Sequence, residues 1–260
     1  MILDMALRDE VAGAANVLAR LGLVTAFGHV SARAGESMLI TPAADLAGVT
    51  ASGLIEVPLA AGALPVGTLP AGTLPAGTLP AGAPAEAWAH LALYRARPDA
   101  AAIARAQPPG AFAVAAAVTM MVPLHGQAAW LGESVPVYDD AALLRSPDQA
   151  ERAARCLPAG EALLLRGNGA VTLGATPGLA VARMWLLAAA CDVYLAALAA
   201  AGADPVTPVT PVTPLSAGEI ASWRAVGGEL LPRLWQHLRS RPGSPGSPES
   251  SGLRPGEEQG

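Results

Sequence analysis

The sequence contains no lysine: all 16 basic residues among its 260 are arginine. Schiff-base aldol chemistry, a pyridoxal-phosphate lysine and a Walker-type phosphate lysine are thereby excluded for this chain, because each needs a primary amine. Charged residues are 14%, well below the roughly one quarter usual for a globular domain. Aromatics are scarcer still at 4%, while hydrophobic residues reach 52%. Alanine supplies much of that apolar content, so small side chains must fill a helix-rich interior. The two cysteines, Cys156 and Cys191, are too few for a disulfide framework or a zinc ribbon. Both lie in segments that read as helical, and buried thiols in a reducing compartment are expected. A net charge of −5 argues against a nucleic-acid partner, which selects a basic face. The start MILDMALRDEV carries Asp4 and Asp9 where an export signal carries Lys or Arg, so a cytoplasmic location is expected. The two most apolar stretches, 109–124 and 179–202, contain Gly110 and Pro123, or Arg183 and Asp192. They read as buried core helices, and no membrane partner is expected.

Three segments lack the patterning of packed structure. Residues 62–82 repeat a five-residue unit of the type GTLPA, and proline at every fifth position blocks both a helix and a central strand. This reads as an expanded surface loop. Residues 204–214, with the repeat PVTPVTPVTP, read as a semi-rigid linker, and the tail from Arg241 to Gly260 as disordered. Deleting residues 67–81, three copies of the unit, is expected to leave the thermal midpoint almost unchanged. Each halving of a solvated loop changes closure entropy by only about 0.6 kcal/mol. A midpoint lowered by many degrees in a melting curve would show that the repeat packs on the domain.

Between these segments helices and strands alternate. Leu7, Val11, Ala14, Ala15, Leu18 and Leu21 recur at helical spacing over 4–21. Short strands are predicted at 29–33 and 38–41 around a Gly35 turn, a helix at 86–97, a buried strand at 100–104 and a helix at 109–119. Ser146-Pro147-Asp148-Gln149 reads as a helix start with a capping box. Strands follow at 161–166 and 170–173 around Gly167-Asn168-Gly169. A long helix starts at Thr176-Pro177, and a last one runs from the Ser216-Ala217-Gly218-Glu219 cap to about Arg239. The first 203 residues form one α/β domain, and residues 215–240 a C-terminal helix.

The ordered motifs form a series: GHVSAR at 28–33, LITP at 39–42, EAWAHLALY at 86–94, RPD at 97–99, LLRGNG at 164–169 and VTLG at 171–174. In this order and spacing the chain resembles the class II aldolase/adducin family over roughly residues 5–200. The resemblance implies a three-layer α/β/α sandwich around a mostly antiparallel sheet, a homo-oligomer (a tetramer in the family) and carbon–carbon lyase chemistry on a bound divalent metal such as zinc. Family members cleave or epimerise sugar phosphates, dehydrate, or decarboxylate aromatic acids; adducin domains keep the fold without the activity.

The family's metal is held by three imidazoles and helped by a glutamate, and it polarises a carbonyl or enediolate oxygen. Glu86 matches the acid/base glutamate. The imidazole positions match Arg105, Gln107 and Asn168, so all three ligands are replaced. Arg105 would set a permanent positive charge where the cation belongs. No cofactor is therefore expected, and Glu86 and Arg105 become the candidate catalytic pair. They could face one another as an ion pair in the vacated pocket and leave a site for an anion. Alternatively, Glu86 makes a structural salt bridge with His90 packed beneath it.

The resemblance also places a substrate site at Gly28, His29, Ser31 and Thr41. Several of the family's phosphate donors are missing, since Ala43, Ala44, Pro84 and Ala85 stand at hydroxyl-bearing positions. The GHVSAR version, His125 in PLHGQAAWLG and VPVYDD look more like the family arm with aromatic-acid decarboxylases. His29 reads equally well as a substrate contact or as a hydrogen-bonded ring in a strand. His125 reads as structural and His237 as solvent-facing. Two functions remain open: a degenerate or repurposed lyase-fold protein, or an active lyase acting on a small carbonyl or carboxylate ligand with Glu86 as acid/base.

Overall fold

A computed structural model describes residues 2–60, 78–202 and 212–241. Most of the predicted repeat loop, most of the linker and nearly all of the tail lie outside the described residues.

Helix α1 (Ile2–Arg20) is followed by strands β1 (His29–Ala34), β2 (Ser37–Ile40) and β3 (Ile55–Pro58). Helix α2 (Ala87–Ala96), strand β4 (Ala102–Ala106), helix α3 (Pro109–Ala117) and strands β5 (Met120–Met121) and β6 (Val135–Tyr138) come next. Helix α4 (Pro147–Arg155), strands β7 (Ala162–Leu165) and β8 (Gly169–Gly174), and helices α5 (Pro177–Gly202) and α6 (Ala217–Ser240) complete the chain. The strands form one sheet in the order β3-β2-β1-β4-β8-β7-β6-β5. Every neighbouring pair is antiparallel except β6 and β7, which run parallel.

The period-2 alternation of strands divides the core into two layers. Val30 and Ala32 of β1 and Ala102, Ala104 and Ala106 of β4 point to one face, where α1, α3 and α5 pack. Alanine on both sides of this contact lets helix and sheet approach closely, and few aromatics are needed to fill it. Helix α5 is long and apolar enough to cross a membrane, yet Ala180, Val181, Met184, Leu186 and Leu187 are buried in this layer. Helix α6 lies against α5 and the 3-10 turn Gly126–Leu131; Ser216 and Glu219 close its capping box. On the other face Met38, Ile40, Ile103, Leu163, Leu165 and Val171 meet α2 and α4. The architecture is the predicted α/β/α sandwich.

Several boundaries differ from the expectation. The strand read over 100–104 lies two residues later and includes Arg105. Strands β3, β5 and β6 were not anticipated: β5 has only two residues, and Pro58 and Pro136 disguise the other two. Cys191 is buried in α5, whereas Cys156 is only half-buried at the C-cap of α4; both thiols are free.

Candidate functional site

A cavity of about 560 Å³ opens on the α2 side of the sheet, near the β7–β8 turn. His29, Glu86, Arg105, Gln107 and Asn168 line it together with Phe27, Leu143 and Arg145. Strand register explains the first contact. His29 and Arg105 are directly opposed across β1 and β4, so both side chains leave the same face. Asn168 sits in the turn between β7 and β8. Gly169 has φ +84°, and a Cβ there would run into the Ala106 carbonyl, so only glycine lets this turn approach β4 so closely.

Arg105 is 2% exposed. Its Nη2 donates to Asn168 Oδ1 at 2.5 Å and to the Asn168 carbonyl at 3.4 Å. Its Nε is buried without a partner, as is Asn168 Nδ2. The Arg105–Asn168 bond fixes the amide's orientation and leaves that NH2 group as a donor on the cavity floor. No ion pair joins Arg105 to a carboxylate among the described residues. The Glu86–Arg105 pair expected from the sequence is not formed: Glu86 instead accepts from Arg145 Nε at 3.3 Å. The reason is that Arg105 is held across the sheet by the β7–β8 turn, while Arg145 reaches Glu86 from the segment before α4.

The charges act on one another across the cavity. Burial, and then the Arg105 charge, push the His29 imidazole down to about 4, with Glu86 opposing. His29 is therefore neutral at pH 7. Desolvation raises Glu86, but its own backbone amide, Arg105, His29 and Arg145 together hold its carboxyl below the usual range. Glu86 is thus ionised at neutral pH and suited to accept a proton rather than give one. Desolvation, with Arg145 adding to it, also weakens proton binding at Arg105, although Glu86 opposes them. Two guanidinium groups face one carboxylate, leaving one positive charge, and the buried member is Arg105.

Three predicted substrate contacts lie behind the cavity wall instead. Ser31 is buried and its Oγ lies 2.7 Å from His90 Nδ1 and 2.9 Å from Tyr94 Oη. Thr41 is buried and its Oγ1 accepts from the Val30 amide. Gly28 is confined, since a Cβ there would run into the Val24 side chain and stand 3.2 Å from the Arg105 carbonyl. These residues position β1 and α2; of the four predicted contacts, only His29 lines the cavity. His90 is fully buried behind the wall, with its ring 6.1 Å from that of His29. Burial, followed by the charges of His29 and Arg105, keeps His90 neutral, and burial pushes the Tyr94 hydroxyl far up. Ser31→Ala would leave the His90 and Tyr94 polar atoms without their shared partner. It should cost about 1–3 kcal/mol in denaturant unfolding. A loss below a few tenths would mean that water replaces the hydroxyl.

Sequence reasoning missed Phe27, Leu143 and Arg145. Phe27 is 64% and Leu143 49% exposed, an unusual state for large apolar side chains beside a cavity. Arg97-Pro98-Asp99 is structural: Arg97 pairs with Asp99 at 2.6 Å and donates to the Gly160 carbonyl. His125 precedes the 3-10 turn Gly126–Leu131 with no side-chain capping bond, and His237 is exposed on α6.

The residues present do not fit a divalent ion. Among the described residues lining the cavity, Glu86 and His29 are the only ligating side chains of the usual kinds, and a buried guanidinium stands beside them. Among the described residues no group of three or more His, Cys, Asp or Glu side chains could hold a metal.

The model of the Class II Aldolase and Adducin N-terminal domain matches residues 9–195. Among solved structures, the chain is similar to l-fuculose-1-phosphate aldolase from Thermus thermophilus at 27% identity, over 79% of this chain and 100% of that one, with a TM-score of 0.62. An aldolase II superfamily protein from Pseudomonas syringae aligns at 22% identity, over 90% and 91% of the two chains, with a TM-score of 0.66. L-fuculose 1-phosphate aldolase from Glaciozyma antarctica PI12 aligns at 21%, over 90% and 88%, with a TM-score of 0.64. No curated protein matches the chain. With the family model matched over most of the chain and the fold shared with solved members, the chain belongs to the class II aldolase and adducin N-terminal domain family.

Proposed function

We propose that this chain is a repurposed member of the family, in which a fixed guanidinium replaces the divalent metal and the cavity binds a small anion. One observation carries the reading. Arg105 is buried at the floor of the cavity, held by Asn168, with no carboxylate paired to it among the described residues. A buried cation without a counter-charge is costly, and a bound anion would remove that cost. The Asn168 NH2 group and the free Arg105 donors offer the hydrogen bonds that an anion needs. Purified protein is expected to carry no stoichiometric zinc, manganese or iron by elemental analysis. Acetate or pyruvate should bind in calorimetry, and Arg105→Gln should abolish that binding. One equivalent of metal per chain, lost in Glu86→Ala, would sink the proposal.

A second reading rests on Glu86, which is ionised on the cavity wall with its side chain 13% exposed. A carboxylate there can take a proton from carbon next to a carbonyl, while Arg105 stabilises the enolate that forms. The chain would then be an active lyase for a small carbonyl carboxylate. Exchange of the pyruvate methyl hydrogens in D2O, followed by NMR, tests this; Glu86→Gln should stop it. No exchange in the native chain would leave binding alone.

A further inference from the structure

We infer that the ligand of this cavity is a monocarboxylate with an apolar body, not a phosphate ester or a polyhydroxylated acid. The inference rests on the anion-binding reading above and adds what the other walls select.

The floor is polar, and apart from the Glu86–Arg145 ion pair the side chains of the walls are apolar. Arg105, Asn168, Gln107 and His29 gather at one end. Besides the paired Glu86 and Arg145 and the turn residue Gly167, the remaining lining comes from Ala26, Phe27, Ala43, Ala44, Ala85 and Leu143. None of these side chains can donate a hydrogen bond, so ligand hydroxyls facing them would lose water without compensation. Phe27 and Leu143 are exposed at this cavity, where an apolar ligand would cover them.

Charge sets the head group. With His29 neutral and Glu86 paired to Arg145, one buried positive charge remains, at Arg105. That balances a carboxylate. A phosphate monoester carries close to two negative charges at pH 7, and its second charge would meet the Glu86 carboxylate. A carboxylate is also planar and suits the free edge of a guanidinium. The volume, about 560 Å³, lies in the range of small-ligand cavities.

The test uses the full chain at pH 7.5 in calorimetry, with acetate, 3-methylbutanoate, benzoate, inorganic phosphate and glycerol 3-phosphate as probes. Either 3-methylbutanoate or benzoate should bind about tenfold or more tightly than acetate, since burying even a small apolar group discriminates by that much. The two phosphates should bind no better than acetate. Phe27→Ser and Leu143→Ser change exposed side chains and should leave the fold intact. They should erase the preference while keeping acetate affinity. Phosphates that bind more tightly than any carboxylate would overturn this inference and leave anion binding standing. So would a preference that survives both serine variants, or serine variants that change only the oligomeric state. Failure of all five probes to bind would overturn the anion-binding reading itself.

Discussion

Replacing Arg105, Gln107 and Asn168 together by histidine is expected to turn this chain into a zinc protein. The geometry is already in place. Arg105 near the end of β4 and Gln107 just beyond it both line the cavity. Asn168 touches Arg105 from the β7–β8 turn, and Glu86 lines the same cavity. Three imidazoles and one carboxylate at these positions meet the four-coordinate preference of zinc, and the substitution removes the buried positive charge that opposes it. The triple variant should take up one equivalent of zinc. At free zinc about 100-fold above its Kd, binding should add about 2.7 kcal/mol to unfolding stability. The native chain should show neither effect, and Glu86→Ala in the triple background should weaken the binding. A folded triple variant that takes up no zinc would show that the four positions do not converge, and the view of Arg105 as a substitute for the metal would fall with it.

What was legible in the sequence was local. The helix starts at Ser146 and Ser216 follow from capping chemistry written within four residues: both serines cap, and the box closes at Ser216, whereas Gln149 accepts from the Arg145 amide instead of closing one at Ser146. Glu86, Arg105, Gln107 and Asn168, picked out by the ordered motifs, line one cavity. Their pairing was not legible. Which of two arginines reaches Glu86 depends on the path of the segment between β6 and α4, and Arg145 lies 59 residues away in sequence. The Arg105–Asn168 bond spans 63 residues and is set by a tight turn whose closeness only Gly169 reveals. Ser31 and Thr41 stood in the right motifs, yet Ser31, on the same face as His29, is covered by His90 and Tyr94 of α2, and Thr41 is buried against the Val30 amide. The edge strands were hidden by proline and brevity, because two to four residues carry too little periodicity to separate strand from loop.

Lowering the pH from 7 to 4 is expected to remove about 3 kcal/mol of stability through His29 alone. Its imidazole titrates near 6.5 in the unfolded chain and near 4 in the folded one. Between those values the unfolded state holds the proton and the native state does not, so stability falls as pH falls, by up to about 1.4 kcal/mol per pH unit. The groups acting on His29 are Arg105 from β4 and Glu86 from the start of α2, with the His90 ring, also from α2, beside it. Burial is the main cause of the shift, and Arg105 adds to it. His90 and His125, both lowered by burial, act in the same direction, and the depressed Glu86 carboxyl adds a loss at still lower pH. The measurement is therefore a difference. Denaturant stability at pH 7, 6, 5 and 4 is compared between the native chain and His29→Asn, in which the other groups still titrate. The variant should lose stability about one proton less steeply between pH 6 and 4.5. Equal slopes would mean that His29 is protonated in the folded state, and the cavity would then carry a second positive charge beside Arg105.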